Sequence, residues 1–224
     1  MSDKTILTTK VEQDDITKRI SLASDFQWDG VNTFEVPKFD MPKDFGIGLI
    51  VGPSGSGKSS ILRDLGLKED EFEWDPNKAV ASHFDTYEDA SERLSAVALN
   101  SIPDQLKPYH SLSTGQKFRA HMSRALKDNA VVDEYTSVID RNTAKALSNS
   151  IRKYVDRKGL KNIILVGCHY DIIEWLRPDW YYDTKTQELI TERTARRPEI
   201  TLQVRKSNKS AWDVFKQHHY LTSD

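Results

Sequence analysis

Eight consecutive residues, Gly52-Pro53-Ser54-Gly55-Ser56-Gly57-Lys58-Ser59, place three glycines, a lysine and a terminal hydroxyl in the spacing of a phosphate-binding loop. The glycines let backbone N–H groups turn toward one anion with no Cβ in the way. A helix expected to start at Lys58 adds the partial positive charge of its N-terminus. On this reading Lys58 reaches the β- and γ-phosphates of a nucleotide and the Ser59 hydroxyl binds Mg²⁺, with Ser60 in the same first turn. A second candidate group is the acidic pair Asp133-Glu134 after a short apolar run. A third is His169, directly after the apolar segment 162–168.

The flanking residues show how such a loop would be held. Ile47-Gly48-Leu49-Ile50-Val51 is a nearly continuous apolar run, as in a buried parallel strand, and Lys58–Leu65 reads as the helix after the loop. Val31–Val36 alternates apolar and polar residues and predicts a half-buried strand. Strands are also expected over Lys78–Phe84, Ala130–Asp133 and Asn162–Cys168, and helices over Tyr87–Leu99, Gln116–Leu126 and Arg141–Val155. Residues 1–25 read as a frayed end leading into an early strand at Ile20–Ala23. Strands alternating with helices imply a mostly parallel sheet. The expected fold is α/β, with a small antiparallel part before about residue 45 and a short helical insertion near 86–126. Thr191–Pro198 reads as a charged linker, followed by a strand and a helix over 199–224.

Composition narrows the class. The chain has 224 residues with formal net charge -2, so overall charge offers no footprint for nucleic acid or acidic lipid. Cys168 is the single cysteine, which excludes an intrachain disulfide and fits a reducing, cytoplasmic compartment. The polar start lacks the apolar stretch of a signal peptide, and the run 47–51 is far shorter than the ~20 residues of a spanning helix. The expectation is no membrane insertion.

Further along, Leu112-Ser113-Thr114-Gly115-Gln116 resembles the signature sequence of ABC-type ATPases, with Thr114 where glycine is usual. Val131-Val132-Asp133-Glu134 resembles that family's Walker B strand, Thr136–Asp140 its D-loop, and His169 stands where the family has its switch histidine. The resemblance spans roughly residues 20–185. It implies ATP and Mg²⁺ as cofactors, with Asp133 holding the metal through its water shell. Glu134 would polarise the attacking water, and His169 would sense the γ-phosphate. It also implies ATP-induced head-to-tail homodimerisation, with Ser113, the N–H of Gly115 and Gln116 presented to nucleotide on the other subunit. An aromatic residue ahead of the loop normally stacks on adenine, and either Phe26 or Trp28 fits by distance.

The chain also departs from that pattern. Only 55 positions separate Lys58 from Ser113, less than transporter ATPases spend on the subdomain that grips a membrane protein. The family's glutamine in this interval is missing, and the expected strand end reads Ser82-His83-Phe84-Asp85, leaving His83 or Asp85 as substitute metal or water ligands. Tyr135 replaces the usual proline after Walker B. Together with Trp175, Pro178-Asp179-Trp180, Arg196-Arg197-Pro198 and Trp212, these features resemble a phage and bacterial branch carrying a C-terminal GNAT acetyltransferase-like domain, here cut short. The resemblance implies an ATP hydrolase coupled to an unknown protein or nucleic-acid partner. An ATP-dependent clamp with little hydrolysis and a transporter subunit are the alternatives.

Overall fold

A computed structural model describes residues 5–191. The expected linker from residue 192 onward and the strand–helix tail over 199–224 lie outside the described residues.

The centre of the molecule is β3 (Ile47–Val51), in which all five residues are buried. It pairs in parallel with β5 (Ile163–Gly167) on one side and β6 (Trp180–Asp183) on the other. A short β4 (Val131–Val132) extends the sheet in parallel beyond β5, and β7 (Glu188–Ile190) closes the other edge antiparallel to β6. The order is β4-β5-β3-β6-β7. Side chains alternate across a strand, so β3 feeds two cores. Ile47, Leu49 and Val51 face a cluster built with helices α3 (Tyr87–Ala96), α5 (Thr114–Ala125) and α6 (Arg141–Lys158). Ile50 faces a second cluster with Ile61 and Leu62 of α2 (Lys58–Asp64), Trp180 and Tyr182. The result is a three-layer α/β arrangement with a mostly parallel sheet.

Local chemistry sets the helix limits. On α6, the buried residues Ala144, Leu147, Ser148, Ile151 and Val155 recur at helical spacing on one face. Asp140 caps its start through Thr143 N–H, and Gly159 ends it at φ 66°. A shorter helix, α4 (Ile102–Gln105), links α3 to the 3-10 turn Tyr109–Ser111 before α5, and α7 (Ile173–Leu176) precedes β6.

Three expectations change. Ile20–Ala23 is not a strand but the end of helix α1 (Asp15–Ala23), nucleated by a capping box between Asp14 and Thr17. It sits between β1 (Thr5–Lys10) and β2 (Val31–Val36), which form the antiparallel part. Residues 78–84 are not a strand either: Val80–His83 form a 3-10 turn, and Ala79 makes only an isolated bridge to Pro108. The His83 ring closes this turn on Ala79 O and Asp75 N, which competes with strand pairing. Strands β6 and β7 were not anticipated. Trp180 and Tyr182 fill the second core and the next residues turn back at Lys185–Gln187.

Candidate phosphate-binding site

The glycine-rich loop leaves the C-terminal end of β3 and runs into α2. Gly52 N–H donates to Gly167 O at 3.3 Å, so strand pairing carries into the loop. Gly57 caps α2 at φ 85°, a region closed to most L-residues. A Cβ there would also sit 2.2 Å from the Phe34 ring of β2. Lys58 is only 9% exposed. Its ammonium donates to Gly52 O at 2.9 Å and Pro53 O at 2.8 Å, which holds the cation at the loop.

Ser59 Oγ donates to Asp133 Oδ2 at 2.8 Å, joining residues 74 positions apart. Asp133 follows β4, and its Oδ1 accepts the N–H of Glu134 at 2.8 Å. The pair thus gathers a hydroxyl and a carboxylate at the start of α2. Both are hard oxygen donors of the kind Mg²⁺ prefers, and the ammonium and loop N–H groups beside them suit a polyphosphate. The residues present therefore fit Mg²⁺ and a nucleotide triphosphate. A cavity of about 280 Å³ opens here, lined by Phe34, Ser54, Gly55, Gly57, Lys58, Ser59, Ser60 and Glu134.

Glu134 is exposed and has φ 52°, and Thr136 has φ 65° with its side chain fully buried. Two left-handed residues flank Tyr135, whose N–H pairs with Val166 O at 2.7 Å and whose hydroxyl meets Ser148 Oγ at 2.9 Å. This buried tyrosine, in place of proline, ties the turn to β5 and α6. Ser137 Oγ donates to Glu134 Oε2 at 2.6 Å.

His169 follows β5. Burial holds its pKa below the usual value, the Arg141 guanidinium adds to this, and the carboxylates of Asp171 and Glu134 oppose it. Its ring is therefore neutral at pH 7. Arg141 forms a two-pronged ion pair with Asp171, which Lys145 joins at 3.7 Å.

Other expected residues lie apart from the cavity. Ser113 is the exposed N-cap of α5, and its N–H donates to Gln116 Oε1 at 2.9 Å. Gln116 Nε2 donates to Asp104 Oδ2 at 2.7 Å, so this side chain serves the helix cap. Gly115 lies against Val138 and Ile139 of the turn after Glu134. Phe26 is 64% exposed, and Trp28 donates from Nε1 to Asn32 Oδ1 at 3.2 Å. Neither lines the cavity, whereas Phe34 does. Reading Val31–Val36 only as an alternating strand hid this role of Phe34. His83 does not line the cavity either: Nε2 accepts Asp75 N–H at 3.0 Å and Nδ1 pairs with Ala79 O at 2.9 Å. Asp85 is exposed between that turn and α3 and does not line the cavity. Among the described residues no cluster of three or more His, Cys, Asp or Glu forms a metal site.

No family model and no curated protein matches the chain. Among solved structures it is similar to the dimeric structure of MJ0796, a bacterial ABC transporter cassette, at TM-score 0.50 and 17% identity over 68% of this chain and 87% of that one. It is also similar to the dimeric post-hydrolysis state of the ATP-binding cassette MJ0796 bound to ADP and Pi, at TM-score 0.51 and 15% identity over 80% of this chain and 94% of that one. The fold is that of an ABC-type ATPase cassette. Within this cassette fold, the 3-10 turn at Val80–His83 stands where a further strand was expected. Among the described residues, no helix is long and apolar enough to cross a membrane.

Proposed function

We propose that this chain is an ABC-type ATPase that binds Mg-ATP at residues 52–60 and hydrolyses it at the interface of a head-to-tail homodimer. The observation that carries the reading is the Ser59–Asp133 hydrogen bond beside Lys58, on a glycine-rich loop between a buried strand and a helix. Loop N–H groups and the Lys58 ammonium would hold the phosphates, and Ser59 and Asp133 the metal. Mg²⁺, when bound, supplies neutralisation of charge on the phosphate oxygens. Phe34, against Gly57, is an aromatic wall of the cavity.

Glu134 is the general base for the attacking water. Ser137 engages Oε2, which leaves Oε1 to take the proton. The neutral His169 ring can donate from one nitrogen and accept at the other, which suits a sensor of a phosphate oxygen. Ser113 and Gly115 do not line the cavity of their own chain. Their action on phosphate would come from a second copy, and the cassettes to which the fold is similar are dimeric. The setting is cytoplasmic, and the work done by hydrolysis goes to a protein or nucleic-acid partner. Residues 199–224, after the linker 191–198, resemble part of a GNAT-like domain of the phage and bacterial branch.

A second reading, a clamp that binds ATP but turns it over slowly, is favoured by one observation. Of the two side chains offered as a further water or metal ligand, His83 or Asp85, the His83 ring has both nitrogens engaged within the 3-10 turn. Sedimentation of Glu134→Gln with and without Mg-ATP tests the proposal. A shift from monomer to dimer on adding Mg-ATP is expected, and a monomer under both conditions sinks the dimeric mechanism.

A further inference from the structure

Against the phosphate loop, and outside the cavity lining, lies a residue from a distant part of the chain. Thr184 directly follows β6. Its N–H donates to Val51 O at 2.8 Å, which extends the β3–β6 ladder to the edge of the loop. The side chain is 6% exposed, and its hydroxyl lies 2.6 Å from Ser56 Oγ, 128 positions earlier. The approach to the loop is very close: a Cβ built on Gly52 would lie 1.8 Å from Thr184 Oγ1 and 3.1 Å from Ser56 Oγ. The hydroxyl thus fills the space that the missing Gly52 side chain leaves. A buried hydroxyl is costly unless paired, and this one pairs with the loop itself.

We infer that Thr184 is a positioning residue for the phosphate loop, holding Gly52–Ser56 in the shape that receives the phosphates of a nucleotide. This rests on the reading of the loop as an ATP site. The physical argument is preorganisation. A loop built on glycines has many conformations to lose, and each one removed before binding is not charged to affinity. Pro53 and Ser54 are exposed, so restraint from outside the loop falls to strand ends and side chains beneath it. Thr184 supplies both the backbone bond to Val51 and the side-chain bond to Ser56.

The same strand end also reaches the switch segment. Tyr170, next to His169, donates its hydroxyl to Asp183 Oδ1 at 2.8 Å, and Lys185 N–H donates to the same oxygen at 2.8 Å. Burial, with Asp183 adding to it, pushes the Tyr170 phenol up to about 12, so it stays a donor at neutral pH. Asp183 and Thr184 therefore link the turn after His169 to the phosphate loop through two adjacent side chains.

The test uses the full chain and three variants: Thr184→Val, which keeps shape and removes the hydroxyl, Thr184→Ser, which keeps the hydroxyl, and Ser56→Ala, which removes the other partner without touching the buried position. Mg-ATP affinity is measured by equilibrium dialysis, and exchange of amides 52–57 is followed without nucleotide. Thr184→Val and Ser56→Ala should each weaken ATP about five- to tenfold, the loss of one hydrogen bond. The double variant should be no weaker than either alone. Both should speed amide exchange in the loop, KM should rise with kcat unchanged in Thr184→Val, and Thr184→Ser should restore wild-type values. If Thr184→Val does not fold, amide exchange in Ser56→Ala without nucleotide, which a lost contact to ATP does not move, decides alone. Wild-type ATP affinity in Thr184→Val or Ser56→Ala, additive losses, or a Thr184→Ser that behaves like the valine variant overturns the inference and leaves the ATP site standing. No ATP binding by the wild type overturns both.

Discussion

Replacing Gly57 by alanine should damage the loop by two separable routes. The first is backbone strain: Gly57 has φ 85°, and an L-residue in the left-handed region costs about 1–2 kcal/mol. The second is steric: the new Cβ would lie 2.2 and 2.4 Å from two carbons of the Phe34 ring, and overpacking of this kind costs about 1–3 kcal/mol. The sum is about 2–5 kcal/mol, divided between global stability and loop shape. Urea unfolding and Mg-ATP dialysis of Gly57→Ala, Phe34→Ala and the double variant separate the routes. Truncating Phe34 opens space for the methyl, so the double variant should lose less than the two singles summed, with the shortfall near the steric part. Because the backbone route survives without the ring, about 1–2 kcal/mol should remain for Gly57→Ala in the Phe34→Ala background. A Gly57→Ala variant within about 0.5 kcal/mol of wild type, the range of neutral surface changes, would rule out both routes. Strict additivity would rule out the steric one.

Other consequences follow from the same contacts. Lys58→Ala removes a cation whose hydrogen bonds to phosphate are worth about 1.5–3 kcal/mol, so ATP affinity measured by dialysis should fall about 10- to 150-fold. His83→Asn should leave the Mg²⁺ dependence of ATP binding unchanged, because both ring nitrogens are engaged in the 3-10 turn; a weakened Mg²⁺ dependence would restore His83 to the metal site. The His169 ring should titrate in NMR below the usual histidine value, and Arg141→Gln should raise that pKa by removing a cation and releasing the Asp171 carboxylate. The sign for stability follows: an unfolded histidine binds a proton near pH 6.5 that the folded ring refuses, so His169 lowers stability as pH falls from there to its folded pKa. Arg152, 4% exposed and paired with Asp156 and with Asp179 at 3.2 Å, should cost about 3–5 kcal/mol in urea unfolding when changed to alanine.

What was legible in the residues was what is local. The apolar run 47–51, the glycines with Lys58 and Ser59, and the periodicity of α5 and α6 each need only neighbours in sequence, and the structure has β3, α2, α5 and α6 close to where they were expected. The segment 78–84 misled because its conformation is decided by a side chain: the His83 ring reaches back to Asp75 and Ala79 and closes a turn on a sequence apolar enough for a strand. Ile20–Ala23 misled because four residues fit either period, and the Asp14–Thr17 box that selects helix lies upstream. Phe26 and Trp28 matched a distance along the chain, while Phe34 is the ring that meets the loop in space. Thr184 had no signal at all, since its relation to Ser56 exists only once β6 pairs with β3.

Under the proposed function, nucleotide is hydrolysed between two copies of this chain. The most direct test is steady-state phosphate release from Mg-ATP by the wild type over a range of protein concentrations, with Lys58→Ala and Glu134→Gln beside it. Release should rise more steeply than linearly with protein and be lost in both variants. Release strictly proportional to protein, or an unaffected Glu134→Gln, would contradict that function.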